Sequence, residues 1–93
     1  MTITTPNTTQ TLRAMANERR LAVLFLLAEG EQSVTQLNHQ VPLSQSALSQ
    51  HLKILRDAEV VSTRRDSQAI FYSLSPEGEK AVEAAKLLSQ EAS

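Results

Sequence analysis

The chain contains no cysteine. That absence excludes a disulfide framework, a thiolate metal site, a redox-sensing dithiol and a cysteine nucleophile. Tryptophan is also missing, and two phenylalanines and one tyrosine are the only aromatics, so the core of this 93-residue chain must be aliphatic. Such a core suits packed helices better than a broad sheet. Only two glycines are available for tight turns. No stretch approaches the roughly 20 apolar residues of a membrane-spanning helix. The start, Met1-Thr2-Ile3-Thr4-Thr5-Pro6-Asn7, lacks the basic residues and apolar run of a secretory signal, so a cytoplasmic location is expected. A net charge of −1 argues against indiscriminate binding to polyanions, which leaves charge distribution as the informative quantity. Between Glu31 and Asp57 there is no acid at all, whereas residues 75–93 hold Glu77, Glu79, Glu83 and Glu91 against Lys80 and Lys86.

Within the acid-free stretch, residues 43–56 read as one amphipathic helix. Leu48, Leu52 and Leu55 follow the i, i+4, i+7 rhythm of a core-facing stripe. The opposite face carries Gln45, Ser46, Ser49, Gln50, Lys53 and Arg56. Neutral amides and hydroxyls can read base edges, and cations can anchor to phosphates. At its start, Ser44 fits an N-cap, and Val41-Pro42-Leu43 is a tight connection because Pro42 disfavours helix at Val41. Ser33 caps a preceding short helix that runs to about Gln40. Two helices joined by such a turn, the second with a polar outer face, form a helix-turn-helix.

Earlier in the chain, residues 1–7 are expected to be a flexible arm and residues 8–91 a single domain. A short helix over Thr8–Ala16 and a second over Glu18–Glu29 are expected. The second starts at Asn17 as N-cap and ends at Gly30. After Glu59 the apolar period changes from 3.6 to 2, so Val60–Arg65 and Ala69–Leu74 form a hairpin around Asp66-Ser67-Gln68. Without glycine at its tip, either Asp66 or Ser67 must adopt positive φ or the loop is longer than these three residues. Ser75-Pro76-Glu77 then opens a last helix. The fold class is therefore mainly α with a β-hairpin: a winged helix-turn-helix of four helices, two strands and a closing helix. The hairpin is the wing, and it carries Arg64 and Arg65 to where backbone phosphates are expected.

The segments Leu12-Arg13-Ala14-Met15-Ala16-Asn17-Glu18-Arg19-Arg20-Leu21, Leu43-Ser44-Gln45-Ser46-Ala47-Leu48-Ser49-Gln50-His51-Leu52-Lys53-Ile54-Leu55-Arg56 and Ile70-Phe71-Tyr72-Ser73-Leu74 resemble the ArsR/SmtB family of bacterial winged-helix regulators. The resemblance spans about residues 10–88. It implies a repressor-type regulator that acts as a homodimer on a double-stranded operator of inverted-repeat type. The candidate DNA-binding residues are Ser44, Gln45, Ser46, Ser49, Gln50, His51, Lys53, Arg64 and Arg65. A dimer built from the first and last helices places Leu12, Met15, Ala81, Ala84, Ala85 and Leu88 at its seam.

Departures from the family pattern concern sensing. Where many members carry a Glu-Leu-Cys-Val-Cys-type segment, this chain has Glu31-Gln32-Ser33-Val34-Thr35, so Ser33 and Thr35 replace thiolates. The last helix has no histidine for the family's other type of metal site. In pattern the chain most resembles the haemolysin-activator and sulfide-responsive branch, yet Phe25 stands at the position of that branch's second-helix cysteine. No metal, cofactor or thiol switch is expected, and the effector stays unassigned. His39 and His51 alone do not make a metal site. An alternative is a winged-helix module that docks another protein, but that use would expose Leu, Phe or Met anchors on the second helix of the motif. No nucleophile, convergent acid pair or phosphate loop supports an enzyme.

Overall fold

The computed structural model describes residues 6–90. Helix α1 (Pro6–Met15) leads into α2 (Glu18–Ala28), β1 (Gln32–Ser33), α3 (Val34–Gln40), α4 (Gln45–Asp57), β2 (Val61–Asp66), β3 (Ala69–Leu74) and α5 (Pro76–Ser89). The expected helices and hairpin are all present, and a short strand, β1, is added. The three strands form one antiparallel sheet in the order β1-β3-β2, with Gln32 opposite Tyr72 and Ser33 opposite Phe71.

Most boundaries follow from capping. The Asn17 side chain accepts from the Arg19 and Arg20 amides, Ser44 from Ala47, and Ser75 from Gly78. Ser33 makes a reciprocal capping box with Gln36, at 3.0 Å and 2.8 Å. α1 and α2 each end one residue earlier than expected, at Met15 and Ala28, and three further boundaries differ. α1 begins at Pro6, so Pro6 and Asn7 belong to the helix and not to an arm, because proline is well suited to a first helical position. Residues 1–5 of the expected arm, and residue 91 of the expected domain, lie outside the described residues. Val60 is not in the strand. Its amide reaches back to the Leu55 carbonyl while that of Glu59 reaches Arg56, which closes α4 as a Schellman motif with Glu59 at φ 61°. The hairpin turn is only Ser67-Gln68, since Asp66 pairs with Ala69, and Ser67 takes the positive φ at 58°.

The core is aliphatic. Leu24, Leu37, Leu48, Leu55, Val23 and Val60 are its largest fully buried side chains, joined by Leu27, Leu52 and Tyr72. Each such leucine contributes about 1.5–3 kcal/mol relative to exposure. α2 lies at the centre, against α1, α4, α5 and β3, so α4 rests on a fixed platform, while α3 packs against β1 and β3. No helix among the described residues is long and apolar enough to cross a membrane.

Candidate nucleic-acid interface

α4 buries Leu48, Leu52 and Leu55 and turns its polar face outward. Gln45, Ser46, Ser49 and Gln50 are all exposed, and none of the four side chains has a hydrogen-bond partner among the described residues. On a helix, Gln45 and Ser49 stand one turn apart, as do Ser46 and Gln50, so the four make a continuous strip. The other expected members of the site are partly committed. Ser44 Oγ accepts from the Ala47 amide at 3.1 Å, and Lys53 Nζ reaches Asp57 Oδ2 at 2.8 Å. That ion pair is exposed on both sides, so it holds Lys53 only weakly against a phosphate.

His51 is half-buried, and its Nδ1 lies 3.3 Å from Nη1 of Arg20 on α2. A guanidinium only donates, so Nδ1 must accept and the remaining proton sits on Nε2. Arg20 in turn donates through Nε to the Ala14 carbonyl at 2.6 Å and through Nη2 to that of Arg13 at 3.2 Å. One side chain thus links the end of α1 to the middle of α4, a contact across 31 residues that no sequence period announces.

Burial pushes the His51 imidazole below its ordinary value of 6.5, and the charges of Arg20 and then Arg19 push the same way. The unfolded chain therefore takes up this proton first. Stability is complete above about pH 6.5 and declines as the pH falls from there through the lowered folded value. Thermal melts of the wild type and of His51→Gln across that window check this: the wild type should lose stability on acidification relative to the variant, and parallel curves would refute it.

Between α4 and the wing runs an open cleft of about 430 Å³, lined by Gln45, Ser49 and Arg56 on one side and by Gln68, Ile70 and Tyr72 on the other. Arg56, which the sequence places on the polar face of α4 although it is not among the candidate DNA-binding residues, lines this cleft one turn beyond Leu52. The two wing arginines diverge. Arg64 is held by Glu31 and stacks on Phe71, whereas Arg65 has no side-chain partner among the described residues.

The expected dimer residues also fall into two layers. Met15, Ala81 and Ala85 are buried inside the protomer, because α1 and α5 pack on each other. Leu12, at 55% exposure, Leu88, at 85%, and Ala84 face outward, joined by Leu87. An open groove between α1 and α5 runs past Leu12, Met15, Ala81 and Ala84.

Residues 17–63, from the cap of α2 into β2, match the model of the family described as bacterial regulatory protein, arsR family. The chain belongs to the arsR family. The matched segment holds the complete α3–α4 motif. The chain is 52% identical over 71 residues to the transcriptional activator HlyU of Vibrio cholerae, covering 76% of this chain and 66% of that protein. It is 58% identical over 64 residues to the nodulation protein NolR of Rhizobium meliloti, covering 69% and 52%. The structure of HlyU from Vibrio cholerae N16961 superposes with a TM-score of 0.85 at 43% identity, covering 96% of this chain and 98% of that one. The alignments with the two curated relatives span between about half and two thirds of their lengths. The arsR family is one of DNA-binding transcriptional regulators, not enzymes.

Proposed function

We propose that this chain represses transcription as a homodimer that binds an inverted-repeat operator in a sequence-specific manner, without a metal or thiol switch. The observation that carries this reading is the strip Gln45-Ser46-Ser49-Gln50, exposed and free of internal partners on an acid-free helix. Such side chains gain by pairing with base edges and lose nothing inside the protein to do so. Each α4 enters a major groove, and the two lie about 34–36 Å apart in the dimer to meet successive turns of one duplex face. Arg56, Lys53 and Arg65 supply phosphate contacts around them, and Ser44 and His51 flank the strip. The protomers meet through the outer layer of α1 and α5, where Leu12, Ala84, Leu87 and Leu88 would otherwise stay in water. The absence of a switch is supported by the composition: Ser33, at a thiolate position of the family, is spent on capping α3.

Replacing Leu12 and Leu88 together by Asp tests the assembly without disturbing the protomer core, since both are exposed. The expected result is a monomer by light scattering, with affinity for the operator reduced about 100-fold or more, because the second recognition helix is no longer tethered. A wild-type monomer that binds its operator tightly would refute the reading.

A further inference from the structure

We infer that Arg64 is a positioning residue that locks the wing to the segment ahead of β1, and that Arg65, on the opposite face of the same strand, is the wing's phosphate ligand. The inference rests on the DNA-binding reading and divides the labour within it. Arg64 Nε donates to Glu31 Oε2 at 2.8 Å, and Nη2 donates to Oε1 at 2.7 Å, a bidentate pair across 33 residues. Its third nitrogen, Nη1, lies 3.8 Å from Asp66 Oδ2. The guanidinium carbon stacks 4.4 Å from the centroid of Phe71, the residue opposite Arg64 in the ladder. Every nitrogen is therefore turned to a carboxylate and one face is covered by a ring. A phosphate approaching this cluster meets two acids for one cation, so its field is net repulsive.

The same geometry explains what Arg64 does. Glu31 immediately precedes β1, the two-residue edge strand beside β3, so the Arg64 side chain crosses β3 and staples the outer strand β2 to the far side of the sheet. β3 is anchored by β1 and the helices, but beyond Val61 the outer strand β2 is exposed and otherwise has little besides its ladder to fix its angle. Consecutive side chains on a strand point to opposite faces. Arg65 therefore shares a face with Ile70, its partner across the ladder, and Ile70 with Tyr72 lines the cleft facing Gln45, Ser49 and Arg56 of α4. The free cation is on the recognition-helix side, and the tethered one is on the far side.

Salt titrations of binding to a duplex selected from a random pool, with amide hydrogen exchange of the free protein, test the assignment. Arg65→Ala should lower the slope of log K against log salt by about one unit, the share of one phosphate contact, and leave exchange in β2–β3 unchanged. Arg64→Ala should keep the slope and raise β2–β3 exchange about two- to fivefold, the range of an exposed ion pair. Glu31→Gln should raise exchange to the same extent, and the double variant no further. A slope that falls by one unit in Arg64→Ala, a slope that stays put in Arg65→Ala, or β2–β3 exchange indifferent to Arg64 and Glu31 would overturn the inference. If the wild type bound no duplex, the DNA-binding reading would fall and the phosphate role of Arg65 with it, while the exchange result would still decide the lock.

Discussion

Replacing Gly78 by alanine is expected to be the most damaging single-methyl change in this protein, lowering the melting temperature by roughly 12–24 °C. A Cβ at position 78 would stand 1.9 Å from the Val60 carbonyl oxygen and 3.0 Å from its carbon, with Leu74 Cδ2 at 3.3 Å. The first two obstacles are backbone, so no rotamer change relieves them. Moving α5 away is equally costly, because the start of that helix is tied down at several points. The Ser75 amide donates to the same Val60 carbonyl at 3.1 Å, Ser75 Oγ donates to the Glu59 carbonyl at 2.6 Å, and Gly78 N donates back to Ser75 Oγ at 3.0 Å. Overpacking against mobile side chains costs about 1–3 kcal/mol, and against fixed backbone the upper end is the floor, about 3 kcal/mol. Calorimetry checks this, and a variant melting within a few degrees of the wild type would show that α5 slides freely on the β2 junction. The consequence reaches function, since α5 carries one side of the proposed dimer seam.

Replacing Gln50 by alanine should do the opposite: leave the fold intact and change what is read. Gln50 is exposed and has no internal partner among the described residues, so its removal should alter stability by less than about 0.5 kcal/mol. A bidentate amide contact to a base is worth about 1–3 kcal/mol of discrimination, which is roughly five- to 150-fold between the preferred and a wrong base. The expected signature is loss of preference at one symmetric base position, with the salt slope preserved. Binding profiles of the variant against a panel of single-base substitutions measure this directly. An equal loss of affinity on every duplex would instead make Gln50 a nonspecific contact.

The parts of this architecture legible in the sequence are those governed by neighbours a few residues apart. Asn17, Ser33, Ser44 and Ser75 announce four helix starts because an N-cap bonds within three residues of itself. The Leu48-Leu52-Leu55 stripe fixes which face of α4 is buried, and hence which is offered to DNA. The features not legible depend on partners brought together only by folding. β1 is two residues long and exists because Phe71 and Tyr72 present a ladder to it. The Glu31–Arg64 and Arg20–His51 contacts cross 33 and 31 residues. Glu59 adopts a left-handed conformation where glycine is the usual signal, held there by the Schellman bonds and the burial of Val60 in the core. The apolar period of α5 gathers Ala81, Ala84, Ala85 and Leu88 into one stripe but does not distinguish its inner margin from its outer one. Packing against α1 does, burying Ala81 and Ala85 and leaving Ala84 and Leu88 in water.

Selection of bound sequences from a random pool of duplex DNA tests the central claim most directly. The account predicts recovery of an inverted repeat whose half-site centres lie about 10–10.5 base pairs apart, with enrichment abolished when Gln45, Ser46, Ser49 and Gln50 are all replaced by alanine. A pool that stays random with the folded wild type, or the same motif recovered by the quadruple variant, would contradict it.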